Sequence, residues 1–236
     1  MPSWRLITSS WPDPEFNLAF EWALLEAVRS GKAPTTVRLW VNAPCVVVDR
    51  SGRSSAEVRL EACRELGIPV LRRPTAGGAV YHDKGNLNWT LVARREDVWP
   101  VRWPSELELL ASRALLDLLA SLGLEGQLKP QKGIFVRGLK VSGMAFYVGR
   151  EVLMVHGTLL VCSDLRALRS VLKCKFEVAN LSDLLGREID PWSLASDLAI
   201  RLARAFGAGL VEGNPSDHEL DLAEALRPKM RQAEGK

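Results

Sequence analysis

"RRPTAGGAVYHDKGNLNWTLV" occupies Arg72–Val92, and it sets two arginines and a turn of small residues, PTAGG, ahead of an apolar strand. Gly77 and Gly78 let backbone approach a ligand closely, and free amides in such a turn can hold an anion or a carbonyl oxygen. The plainer reading is a tight turn between strands with two exposed arginines. Spacing alone leaves both readings open.

Upstream, PVLRR leads into this turn as a strand, and TVRLWV and CVVVDR read as two more. Between them Ser54 and Glu57 stand at capping-box spacing before a helix, AEVRLEACRELG. Further back, Asp13-Pro14 starts an amphipathic helix, FNLAFEWALLEAVRSG, that ends at Gly31. Downstream, Ser105 and Glu108 form a second capping box for a long helix closed by Gly123. Residues 133–162 then read as an antiparallel meander punctuated at Arg137-Gly138, Ser142-Gly143 and Gly149-Arg150. Helical periodicity returns in DLRALRSVL, after Asp190-Pro191, and after Ser216 with Glu219 at capping spacing, and the polar tail RPKMRQAEGK reads as fraying. Helices and strands without a strict βαβ repeat predict an α+β fold with a mixed, largely antiparallel sheet flanked by helices.

The chain has 236 residues, 47% hydrophobic and 25% charged, with a net charge of +3. That is enough to bury a core without disulfides, and residues 1–236 read as a single domain. No apolar run spans a bilayer and no secretory leader is visible, so a cytoplasmic, membrane-free setting is expected. The charge is too weak and dispersed to argue for nucleic acid. Cys45, Cys63, Cys162 and Cys174 make no CxxC pair, and most read as buried apolar residues.

Two further motifs carry chemistry. In GLKVSGMA, Lys140 lies on a strand among small residues, where its ammonium can reach across open space, although most strand lysines are merely solvated. In VHGTLLV, His156-Gly157 closes an apolar strand, where a satisfied structural histidine is the simpler reading.

The arginine-glycine loop, then GLKVSGMA, then HGTLLV, in this order, resembles the lipoate protein ligase family, within the group that includes biotin ligases and octanoyltransferases. The likeness starts at DPEFNLAFEWALL, takes in PCVVVDRSGR and reaches NLSDLLG. It implies a catalytic domain of the biotin/lipoate ligase type, without an accessory C-terminal domain. It also implies an ATP-dependent enzyme that activates lipoate as lipoyl-AMP and transfers it to a lysine of an acceptor protein. That acceptor would be an E2 lipoyl domain, a glycine cleavage H protein or another lipoate-binding protein, with a separate accessory ligase subunit as an added partner. By the same resemblance Lys140 stands at the reacting centre. Arg72, Arg73, Gly77, Gly78, Ala79, Val80, Tyr81, His82, Ser142, Gly143, His156 and Gly157 would line the lipoyl and adenylate site. Mg2+ would accompany ATP, with Asp83 as its candidate ligand.

Three departures stand out: Ala76 where the loop usually has a glycine, Asp49 where VVIGR is usual, and Lys132-Gly133 where Asn-Asp usually precedes the lysine strand. The alternatives are an octanoyltransferase acting through Cys174, whose neighbouring lysines would lower a thiol pKa, a partner-dependent subunit, and a non-catalytic lipoate-binding protein.

Overall fold

Along the chain run β1 (Ser3–Ile7), α1 (Pro14–Arg29), β2 (Thr36–Trp40), β3 (Cys45–Val48), α2 (Leu60–Glu65), β4 (Val70–Arg72), β5 (Val80–His82) and β6 (Asn86–Arg94). There follow α3 (Pro104–Ser121), β7 (Gly126–Lys129), β8 (Gly133–Val136), β9 (Leu139–Val148), β10 (Val152–Leu160), α4 (Leu165–Val171), α5 (Leu181–Leu185), α6 (Ala195–Ala205), β11 (Gly209–Glu212) and α7 (Asp217–Leu226). The structure is a computed structural model, and it describes residues 2–98 and 100–231.

Eight strands form one sheet in the order β11-β1-β2-β6-β10-β9-β8-β7, and β4-β3-β5 form a second, smaller sheet. Only the β1 pairings are parallel in the large sheet, so the expected α+β fold with a largely antiparallel sheet is what the chain adopts.

The pattern of β6 explains how the layers close. Leu87, Trp89, Leu91 and Ala93 point to one face, where Leu107, Leu115 and Leu118 of α3 and Leu198 and Leu202 of α6 cover them. Each such leucine, fully buried, contributes about 1.5–3 kcal/mol. The other face carries Val92 and Met154, packed by Leu24, Ala27 and Val28 of α1 and by Ala223 and Leu226 of α7. Asn86, Asn88 and Thr90 alternate with the apolar set and are buried as well. The smaller sheet has its own core, in which Val46, Val48 and Tyr81 meet Cys63 of α2 and Leu168 and Val171 of α4.

The start of α1 follows the sequence: Asp13 caps it by accepting the Glu15 N–H at 2.9 Å, and Pro14 fills the first turn. The Ser216–Glu219 capping box also forms. The other two do not. Ser54 Oγ donates to the Asp49 carboxylate, and Glu57 accepts the Ala79 N–H, so residues 53–57 make a 3-10 turn and α2 begins only at Leu60. Glu108 accepts the Gln131 N–H at 2.7 Å, while Glu106 takes the N–H groups that open α3. Ser142-Gly143 is no turn, since β9 runs through it; the meander turns at Arg137-Gly138, both at positive φ, and at Gly149. The tail does not fray at its start: Arg227–Met230 form a 3-10 turn with Met230 buried, and residues 232–236 lie outside the described part. Of the cysteines, Cys45 and Cys63 are buried, whereas Cys162 and Cys174 are exposed.

Gly157 has a steric role. A Cβ there would lie 2.6 Å from the Gly143 carbonyl oxygen and 2.6 Å from the ring of buried Trp89. Gly157→Ala is therefore expected to destabilise the fold by about 2 kcal/mol or more, read as a lower urea midpoint with an unchanged slope.

Candidate functional site

The loop 73–79 closes over the large sheet where β9, β10 and β6 run beneath it, and a cleft with two lobes lies between. The inner lobe encloses about 160 Å³, and the outer lobe about 240 Å³. Gly78, Ala79, Val80, Lys140, Gly143 and Thr158 line both, so the lobes are one continuous cleft with Lys140 at the junction.

Arg73 holds the loop in shape. Its side chain is buried and donates to Thr75 Oγ1 (3.0 Å), Val47 O (3.2 Å), Ala76 O (3.1 Å) and Gly78 O (2.8 Å). Burial lowers its pKa to about 10, with Asp49, Glu21 and Glu57 opposing the shift. Thr75 Oγ1 also lies 2.7 Å from Nε2 of His156, whose Nδ1 sits 3.1 Å from Oε1 of Glu21. Glu21 is fully buried on α1. Burial pushes its carboxyl up, but His156, the Thr90 hydroxyl and Arg38 outweigh that and hold it below the usual carboxylate range. One polar chain thus runs from α1 through β10 to the loop.

The glycines serve close approach. Gly77 has φ 116°, and a Cβ on Gly78 would lie 2.8 Å from Oε2 of Glu57. That carboxylate accepts the Ala79 N–H (2.9 Å) and pairs with Lys175 (2.5 Å). Burial raises the Glu57 pKa, but Lys175 and the Ala79 N–H more than compensate and leave it lowered. Asp49, one of the departures, organises this region: its carboxylate accepts from Ser54 N and Oγ (2.8 and 2.7 Å), fixing the 3-10 turn that carries Glu57.

Lys140 opens β9. Its backbone N–H donates to Glu177 O (2.8 Å), and its ammonium lies 5.6 Å from the Phe176 ring centre. Burial holds its pKa below the ordinary lysine value, with Glu57 opposing. Gly133, at φ 113°, lets the side chain pass: a Cβ there would lie 3.0 Å from Lys140 Cε and 2.2 Å from Ser142 O. The Lys132-Gly133 departure therefore sits inside the cleft wall.

Most of the sequence-derived residues converge. Gly77, Arg73, His82, His156 and Gly157 line the inner lobe, and Tyr81 and Ser142 the outer. Two do not. Arg72 faces away, with Nη2 3.3 Å from where a Cβ on Gly52 would lie, and it borders neither lobe. Asp83 borders neither lobe either, and its oxygens accept the Gly85 and Asp164 N–H groups (2.9 and 2.7 Å). Burial also raises its pKa, so Asp83 does not fit a magnesium ligand. Among the described residues no group of three or more His, Cys, Asp or Glu could hold a metal. Cys174 lines the outer lobe, and although the residue is exposed overall, partial desolvation of its thiol outweighs Arg169, Arg59 and Lys140 and raises its pKa. The neighbouring lysines thus fail to activate it, and His156 is committed to Glu21 and Thr75.

Glu21, Glu57, Asn88 and Glu108 are among the residues at the cleft that the sequence alone did not single out. Glu21 had a readable signal, a carboxylate on the apolar face of a helix. Glu57 and Glu108 were hidden by capping-box spacing.

The lipoyl protein ligase A/B catalytic domain model matches residues 13–202, and the chain belongs to that family. A candidate lipoate-protein ligase A of Aeropyrum pernix is 32% identical over 209 residues, covering 82% of this chain and 76% of that protein. Against two Mycoplasma relatives the match spans 48% of their length. Among solved structures, a candidate lipoate protein ligase from Thermoplasma acidophilum with bound lipoic acid superposes with a TM-score of 0.81 at 25% identity, covering 96% of this chain and 95% of that one. A lipoate-protein ligase A bound with ATP gives 0.83 at 25% identity, covering 97% and 95%. No described helix is long and apolar enough to cross a membrane.

His82 in the inner lobe gives a pH test. Burial, with His156 and Arg73 adding to it and Glu21 opposing, lowers its pKa to about 3. The unfolded value is about 6.5, so the unfolded chain binds the proton first. The stability is fully present above that value and is lost as pH falls toward 3, at up to about 1.4 kcal/mol per pH unit. Between pH 6 and 4.5 the wild type should lose stability more steeply than His82→Gln in denaturant titrations. Equal slopes would show that His82 is not held neutral.

Proposed function

We propose that this chain is an ATP-dependent lipoate protein ligase. The observation that carries the reading is Lys140 at the junction of an inner lobe with apolar walls and an outer lobe rimmed by Lys132, Lys173 and Lys175. The inner lobe, walled by Leu18, Trp40, Val47 and Met144, suits an acyl chain. The outer lobe offers cations for phosphates and an apolar wall of Leu168, Leu172 and Val178 for a flat base.

In the first step a carboxylate oxygen of lipoate attacks the α-phosphorus of ATP and pyrophosphate leaves. In the second, the amine of an acceptor lysine attacks the acyl carbon, an amide forms and AMP leaves. Both steps place negative charge between the lobes, where Lys140 and the loop amides are held in advance at little reorganisation cost. In this reading an incoming phosphate takes over the two donors that Glu57 now holds, the Ala79 N–H and Lys175.

The acceptor is a protein with an exposed lysine, such as an E2 lipoyl domain or a glycine cleavage H protein. It approaches by the outer lobe, where Lys132, Lys173 and Lys175 stand beside Lys140. The chain serves as the catalytic unit, and a second polypeptide enters the scheme if the chain is silent alone. The thioester-transferase alternative is disfavoured by the raised Cys174 pKa and by the engagement of His156 elsewhere.

The test is the intact mass of a lipoyl domain incubated with this chain, lipoate and Mg-ATP. Lys140→Ala is expected to cut the rate by about 10²-fold or more while circular dichroism stays native. Undiminished turnover would refute the role. Cys174→Ser should retain ATP-dependent transfer, whereas modification only from an acyl thioester, lost in Cys174→Ser, would make the chain a transferase.

A further inference from the structure

Asn88 is 1% exposed, and neither its Oδ1 nor its Nδ2 has a hydrogen-bond partner. Among the described residues lining the inner lobe it alone carries buried polar side-chain atoms left in this state. Other buried polar side chains there are engaged: Glu21 with His156 and Thr90, Arg73 with the loop, and Glu108 with the Gln131 N–H. An unpaired buried amide is costly, and a site keeps one where a ligand is to meet it.

Its place in the sheet says which part of a ligand it meets. Asn88 is in register with Trp40 on β2 and with Thr158 on β10, and Thr158 is in register with Gly143 on β9. All four line the inner lobe, so a single rung of the sheet forms its floor. At the Gly143 end, a Cβ would lie 3.4 Å from the Lys140 ammonium. Strands lie about 4.8 Å apart, which puts Asn88 two spacings, about 10 Å, from Gly143. That is roughly the extended reach of an eight-carbon acid whose carboxyl group lies at Lys140.

Resting on the ligase reading, we infer that Asn88 determines acyl specificity, selecting the dithiolane end of lipoate over the plain alkyl end of octanoate. The ring sulfurs accept from the Asn88 N–H groups, weakly, toward the end of the rung away from Lys140. The end of an octanoyl chain offers no acceptor and leaves the amide unpaired. A site built around a polar contact discriminates against the analogue that lacks it.

The experiment is a competition between equimolar lipoate and octanoate with Mg-ATP for one lipoyl domain, read as the ratio of the two product masses. Asn88→Leu and Asn88→Ala should each lower the lipoyl-to-octanoyl ratio by about tenfold. The ratio is internal to each reaction and does not depend on how much of a variant is folded. An unchanged ratio in both variants overturns the inference while leaving the ligase reading intact. Where the wild type alone joins neither acid to the acceptor, a self-sufficient ligase is excluded, and calorimetry of the two free acids tests Asn88 alone. The same tenfold loss of discrimination in Kd supports its role, and equal discrimination in wild type and variants refutes it.

Discussion

One guanidinium holds the cleft in shape. Arg73 reaches from the end of the small sheet into its own loop and ties Val47, Thr75, Ala76 and Gly78 together through a planar fork of donors. Through Thr75 the tie continues to His156 and Glu21, so α1, β10 and the small sheet are joined by buried polar contacts where apolar packing is interrupted by the cleft. Such a chain is costly to break, because removing one member leaves its partner charged or polar and dry. The glycine-rich loop is thus fixed before any ligand arrives.

The sequence revealed the frame of this site better than its floor. The loop, Lys140 and His156 were legible because their short motifs, taken in order, resemble those of a known family, although each alone has a plainer structural reading. Arg72 and Arg73 were not separable, since neighbours on a strand point to opposite faces and only the packed sheet shows which face is the cleft. Ser54–Glu57 and Ser105–Glu108 have the spacing of capping boxes, yet Asp49, Ala79 and Gln131 offered those side chains tertiary partners. Spacing describes only local competitors.

Asn88 was invisible for a related reason. In NLNWT the polar residues alternate with apolar ones, which normally marks a strand with one wet face. Here both faces are covered, and the polar one looks into the inner lobe. Burial of that face is a property of α1 and the loop, far from β6 in sequence. The same holds for Gly133 and Gly157, whose missing side chains make room for Lys140 and Trp89.

Glu57 places a carboxylate on the Ala79 amide and on Lys175, two of the donors best suited to an anion. The chain therefore carries its own carboxylate on these donors, tethered by the turn that Asp49 fixes, and on the proposed ligase reading a phosphate would enter by exchange and not by filling an empty seat. On that reading the apparent affinity for nucleotide would be reduced by the fraction of molecules in which Glu57 is seated. On the same reading an anionic group would compete for these two donors better than a neutral one, because it alone replaces the charge that Glu57 supplies to Lys175.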